Sequence, residues 1–215
     1  MRCACEAAHP TSKWCTIDPH DHPTSQRVLP MPEYRRLFVP GACYFFTVVT
    51  YKRSPWLSED LSRGLLRQAI LHVRTKYPFR IEAWVLLPDH LHCLWRLPEG
   101  DSDFSIRWNL IKGWVTTHLP RNLRVCKPTI SHRKRREQAV WQRRFWEHRI
   151  RDDDDFRRHC DYIHYNPVKH GLCSAPKFWP FSSFHRFVKE GKYDLNWGSQ
   201  IMPEGIDKIA VRMGE

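Results

Sequence analysis

Residues 83–95 read AWVLLPDHLHCLW, two apolar runs parted by Pro88-Asp89. Proline pre-sets the backbone at the second position of a turn and aspartate tolerates the next, so the stretch predicts a β-hairpin. His90 and His92 open its second strand. Side chains alternate across a strand, so residues two apart share one face at roughly 6 to 7 Å. Two imidazoles placed this way can hold one metal ion if a third group arrives from elsewhere in the fold. Taken alone, the pair is more simply two histidines on a solvated strand face.

A chain of 215 residues, 41% hydrophobic and 13% aromatic, can bury one proper core. Its formal net charge of +12, with a pI near 9.5, favours a polyanionic partner, nucleic acid before anionic lipid. No run of about 18 apolar residues is present, so no membrane span is expected. Residues 1–30 lack the apolar core of a secretory signal. The eight cysteines, at positions 3, 5, 15, 43, 93, 126, 160 and 173, include no C-x-x-C pair, which removes the usual support for zinc-finger or thioredoxin-like readings. Reduced thiols in a cytoplasm follow, with the nucleoid as the expected place of work.

In residues 1–30, Cys3, Cys5, His9, Cys15, His20 and His22 sit among Pro, Ser and Thr with no structural period. They are read as a disordered extension or a misassigned start, with the folded domain at 31–200 and a tail at 201–215. Residues 42–51 (ACYFFTVVTY) are β-branched and aromatic and predict a buried strand. Ser58 is expected to cap a helix carried by Leu61, Leu65, Leu66, Ala69, Ile70 and Val73, which ends before Pro78. Residues 79–87 and 90–97 form the hairpin strands. Ser102 or Asp103 caps a second helix, with Ile106, Leu110, Ile111 and Trp114 on its apolar stripe and Pro120 as its stop. Residues 119–139 are polar and basic and predict a loop, and 140–150 a fourth strand. Asp152 to Asp155 open a third helix, where the macrodipole favours acids, and Pro167 ends it. Residues 172–200 pack over the sheet as a short helix and loops. The order β-α-β-β-α-β-α predicts a ferredoxin-like, RNA-recognition-like α/β (α+β) fold, a four-stranded antiparallel sheet with helices packed on it.

The segment DYIHYNP, residues 161–167, holds the second group of interest. On a helix Tyr162 and Asn166 share one face, about 5 to 6 Å apart. Asn166, closing the helix, can offer its amide oxygen to a hard cation. Tyr162 offers a phenol, which becomes a nucleophile when a metal or base activates it. By themselves they are more simply a core aromatic and a helix cap. The balance shifts because this topology can set them beside the His pair.

Four segments carry a resemblance: YRRLFVPGACYFFTVVT, AWVLLPDHLHCLWRLPEGDSDFSIRW, WQRRFWEHRIRDDDDFRRHCDYIHYNPVKHGL and FWPFSSFHRFVKEG. Together they resemble the REP-associated tyrosine transposases, relatives of the single-tyrosine transposases of small bacterial insertion sequences. The likeness spans residues 31–197. It implies a His-hydrophobic-His metal motif at His90, Leu91 and His92, a nucleophilic tyrosine at Tyr162, and a third metal ligand at Asn166. It also implies a divalent ion, Mg2+ or Mn2+, a 5′-phosphotyrosine intermediate, and single-stranded DNA bearing a repetitive extragenic palindrome hairpin as substrate. The 119–139 loop is longer than the family pattern leads one to expect.

Around this set, Asp89 either shapes the turn or accepts a hydrogen bond from His90 or His92. Cys93 faces the other way, as core. Tyr34, Arg35 and Arg36, the run Arg133, Lys134, Arg135 and Arg136, and Arg143 with Arg144 are expected to contact phosphates or unpaired bases. Two other classes stay open. A zinc hydrolase would use His90, His92 and a cysteine, but no cysteine stands at a ligand spacing. A non-catalytic hairpin-binding module of the same fold would leave the His pair idle; only the joint presence of His90, His92, Tyr162 and Asn166 speaks against it. Monomer and homodimer are both compatible with the sequence.

Overall fold

Four strands, β1 (Cys43–Val49), β2 (Arg80–Leu86), β3 (His90–Arg96) and β4 (Trp146–Arg149), pair antiparallel in the order β2-β3-β1-β4. This is a computed structural model, and it describes residues 36–124, 126–207 and 209. All of these but Arg36 belong to one unit, Leu37–Glu215. Tyr34, Arg35 and the 1–30 extension lie outside the described residues.

Both faces of the sheet are covered, which is why CYFFTVV and HLHCLWR read as near-continuous apolar runs rather than alternating ones. Helices α1 (Asp60–Lys76) and α2 (Phe104–His118) close over Tyr44, Phe46, Val48, Leu91, Cys93 and Trp95. Helix α4 (Asp153–Lys169) covers the opposite face, where Cys43, Phe45, Ala83, Val85 and Leu94 meet Cys160, Tyr162 and Ile163. Leu65, Leu66, Ala69, Ile70 and Val73 of α1 are all buried; at about 1.5–3 kcal/mol for each large side chain, this packing holds the helix in place. Cys93 is core on the α1 side, as its strand position requires.

Several expected details are corrected. Ser58 does not cap α1: its hydroxyl donates to the Pro55 carbonyl, and Glu59 takes the cap position. Of the two candidates for α2, Asp103 is the cap, accepting from the Ile106 amide at 2.9 Å. The buried stripe of α2 is Phe104, Arg107, Trp108, Ile111 and Val115, while Leu110 is 39% exposed. Arg107 hides this pattern in the sequence. It is fully buried, but Asp101 and the carbonyls of Asp103 and Pro78 take its guanidinium. Trp108 then stacks on Trp95 with ring centroids 4.1 Å apart.

The fourth strand is shorter than 140–150. Trp141 makes an isolated bridge to Thr50, and the ladder begins only at Trp146. Between them, Lys112 Nζ donates to the carbonyls of Gln142 and Arg143, drawing that stretch toward α2. Residues 119–139 are not loop throughout: Thr129 caps the short helix α3 (Ile130–Lys134). Pro167 does not end α4, which runs on to Lys169. Proline lacks an N–H, but the amides of His170 and Leu172 reach back to the carbonyls of Asn166 and Pro167 and keep the last turn closed. Residues 179–184 line the β2 edge. Leu86 donates to the Phe181 carbonyl, Ser183 donates to that of Trp84, and helix α5 (Phe184–Lys189) follows. No described helix is long and apolar enough to cross a membrane.

Candidate active site

His90 and His92 project from β3 toward α4, buried, with rings 4.9 Å apart and nearly perpendicular. Each ring is held through Nδ1. That of His92 lies 2.9 Å from Thr47 Oγ1, directly across on β1. That of His90 lies 2.6 Å from Asp89 Oδ1. With Nδ1 engaged on both rings, Nε2 is the nitrogen each would offer to an ion. Asp89 therefore does more than shape the turn. Its other oxygen accepts from Arg53 at 3.1 Å, and its carbonyl accepts from the Thr50 amide and hydroxyl. Burial alone would raise the Asp89 carboxyl, but His90 and Arg53 outweigh it and hold it below the ordinary carboxylate range. Arg53 reaches Asp89 because Lys52 and Arg53 adopt left-handed backbone, φ 55° and 51°. That conformation is strained for both residues and is maintained by the surrounding contacts.

From α4, Tyr162 brings its ring to 5.2 Å from His92 and 6.1 Å from Phe45. Lys169 Nζ lies 3.5 Å from the phenol oxygen. Asn166, one turn beyond Tyr162, is fully buried, and neither atom of its amide makes a hydrogen bond. An unsatisfied buried amide costs about 1–3 kcal/mol, so its presence suits a ligand. As a donor set, one amide oxygen and two imidazole nitrogens without a thiolate would suit a hard or borderline divalent cation. Tyr165 points elsewhere, its ring 6.4 Å from Trp197. His164 anchors the C-terminal segment, with Nε2 2.7 Å from Ser183 Oγ, and burial pushes its imidazole down to about 3.

A second group lies toward the other end of α4. His148, Asp155 and His159 offer ligand atoms within 4.8 Å of one another, close enough for one ion. Their bonds point to a different job. The Asp155 carboxylate already accepts from His148 Nε2 at 2.8 Å and from the Arg151 backbone and guanidinium. His159 Nδ1 is 2.7 Å from the Asp155 carbonyl. The two imidazoles stack within 13° of parallel, so their in-plane lone pairs do not converge. Burial would raise the Asp155 carboxyl, but Arg151 and His148 pull it far below its ordinary range. Burial lowers His159 to about 4. The group is a latch between β4 and the start of α4. Asp152 does open that helix, accepting from the Asp155 amide at 2.7 Å.

Arg133, Lys134, Arg135 and Arg136 are all exposed, the first two on α3 and the others just beyond it. The Tyr51 ring meets His132 of α3 at 4.7 Å, while neighbouring Thr50 bonds to Asp89. The basic run is thereby tied to the end of the sheet that carries the His pair. Arg144 is exposed; Arg143 gives its guanidinium to both oxygens of Glu137. Arg36 is half-buried.

No family model matches the sequence. A REP-associated tyrosine transposase of Escherichia coli (strain K12) is 44% identical over 172 residues, 80% of this chain and 93% of its own. The chain belongs to the REP-associated tyrosine transposases. A Haemophilus influenzae relative bearing that family name is 45% identical over 169 residues, 78% of this chain and 94% of its own. A solved structure of a REP-associated tyrosine transposase bound to a REP hairpin matches with a TM-score of 0.65 at 42% identity, covering 82% of this chain and 96% of that one. Membership makes the chain a transposase, and the shared fold is the four-stranded antiparallel sheet with packed helices.

Proposed function

We propose that this transposase is a metal-dependent single-stranded DNA endonuclease and strand transferase. It acts on hairpin DNA of the repetitive extragenic palindrome type through a 5′-phosphotyrosine. The observation that carries this reading is the contact of Tyr162 with His92, 5.2 Å between rings, with the unbonded amide of buried Asn166 one turn away. The hairpin in the related solved complex supports the substrate class.

His90, His92 and Asn166 would hold the ion, Mg2+ or Mn2+, which when bound supplies Lewis-acid polarisation of the scissile phosphate. The chain does the rest. Thr47 and Asp89 keep the two imidazoles in one tautomer and one orientation. Tyr162 Oη attacks phosphorus, the bond from phosphorus to the 3′ oxygen breaks, and a free 3′-OH remains. Because the tyrosine ester conserves the phosphodiester, another 3′-OH can displace Tyr162 without ATP. The exposed residues Arg133, Lys134, Arg135, Arg136 and Arg144 would track DNA phosphates outside the site.

Labelled single-stranded hairpin DNA run with the protein on a denaturing gel tests this. Wild type should form a covalent adduct with Mg2+ or Mn2+ and none under chelation. Tyr162→Phe should bind the hairpin, keep its Tm and form no adduct; Tyr165→Phe should retain cleavage. An adduct mapped to Tyr165, or one persisting in Tyr162→Phe, overturns the assignment. Hairpin binding with no adduct under any metal would make the chain a binding module instead.

A further inference from the structure

The last turn of α4 brings two residues to the site that the expected stop at Pro167 would have left outside it. Lys169 stands two turns after Tyr162, and its side chain runs back along the helix, as helical side chains do. Its Nζ donates to Tyr162 Oη at 3.5 Å and lies 5.4 Å from the centre of the ring. His170, the next residue, holds its ring 5.1 Å from that of His90. Tyr162, His90 and His92 are buried, whereas Lys169 is half-buried and His170 is exposed. The solvent edge of the site therefore runs past these two side chains, and a phosphate entering from solvent meets Lys169 beside the attacking oxygen.

Resting on the reading of Tyr162 as nucleophile, we propose that Lys169 is a further catalytic residue, whose ammonium stabilises the charge on Tyr162 Oη in both halves of the reaction. In cleavage the bond from Oη to phosphorus forms and the bond to the 3′ oxygen breaks. The phenol proton is given up to solvent, and the departing 3′ oxygen takes one from solvent. In rejoining, a 3′-OH attacks the phosphotyrosine and gives its proton to solvent, and Oη leaves as a phenolate, taking up a proton afterwards. Oη carries charge as nucleophile and as leaving group alike, on a buried side chain. A donor already aimed at that oxygen requires no rearrangement as the charge grows. Lysine suits the position as a compact point charge on an aliphatic stem that packs along the helix.

Single-turnover cleavage of hairpin DNA at saturating protein tests the proposal, with Lys169→Met preserving the stem and removing the charge. Cleavage should slow about 100-fold, the loss typical of removing one donor from a developing oxyanion. The hairpin Kd and the Tm should stay near wild type, and Lys169→Arg should recover most of the rate. Rejoining from a pre-formed adduct should slow by a similar factor, because the same oxygen then leaves. Wild-type cleavage by Lys169→Met, or a loss confined to Kd and its salt dependence, overturns the proposal and makes Lys169 a bystander or a simple phosphate contact. Tyr162→Phe, run in parallel, separates the two readings. An adduct in that variant sinks the nucleophile assignment itself; no adduct there with normal cleavage by Lys169→Met sinks only the role of Lys169.

Discussion

Asn166 holds both hydrogen-bonding atoms of its amide at a fully buried position without a hydrogen bond. A buried amide without partners costs stability, which is what the proposed ligand role would require of it. Asn166→Leu replaces it with an apolar side chain of similar volume. We expect this variant to be more stable by about 1–3 kcal/mol in chelator, read from denaturant midpoints, and to lose cleavage. A large loss of stability would mean that the amide is needed for packing. Thr47 and Arg53 complete the setting at this scale. Thr47 fixes His92 from β1, and Arg53 fixes His90 through Asp89.

Helix α4 carries Tyr162 and Asn166 and is tied down at both ends. At its start the buried Asp155 joins His148 of β4, Arg151 and His159. At its end the turn past Pro167 supplies Lys169. The first of these ties is pH-sensitive. The folded His159 titrates near 4, against 6.5 for an ordinary histidine, because burial disfavours its charged form. Between those values the unfolded chain takes up a proton that the folded chain refuses, so stability falls as pH falls from about 6.5 to 4, by on the order of 3 kcal/mol. Below that, Asp155 continues the trend: its folded carboxyl is depressed, and the unfolded chain protonates first. Tm measured across this window should drop in wild type and drop less in His159→Gln, which keeps a donor that does not titrate. A flat wild-type profile would show that His159 is charged at no cost and that the latch is loose.

Over the whole molecule, a net charge of +12 suits a partner with a regular array of phosphates. The cations are not equivalent. Arg107 is buried on Asp101, so its charge is spent within the fold, whereas Arg143 is exposed and paired with Glu137. Arg133, Lys134, Arg135 and Arg136 are exposed together, at the end of the sheet where β1 runs into Asp89. If all of them contact phosphate, each contributes roughly 0.7–0.9 to the slope of log K against log salt. Replacing them together with glutamine should flatten that slope by about 3 for a hairpin with a single-stranded flank. An unchanged slope would leave them as the solvated face of α3.

The amino-acid sequence by itself determined the hairpin, the strand order along the chain, the acidic start of α4 and the pairing of His90 with His92 and Tyr162 with Asn166. Turn chemistry and the periods of strand and helix are local, so they show in a single stretch of chain. The tertiary structure decided the rest. It placed α4 on the face opposite α1 and α2, set Thr47 across from His92, and returned Arg53 to Asp89. It also shortened β4 and carried α4 through Pro167, which put Lys169 on Tyr162. Register across a sheet and the choice of face depend on burial summed over residues far apart in the chain. That sum leaves no local period, and a buried arginine such as Arg107 even interrupts the one that a packed helix would otherwise display.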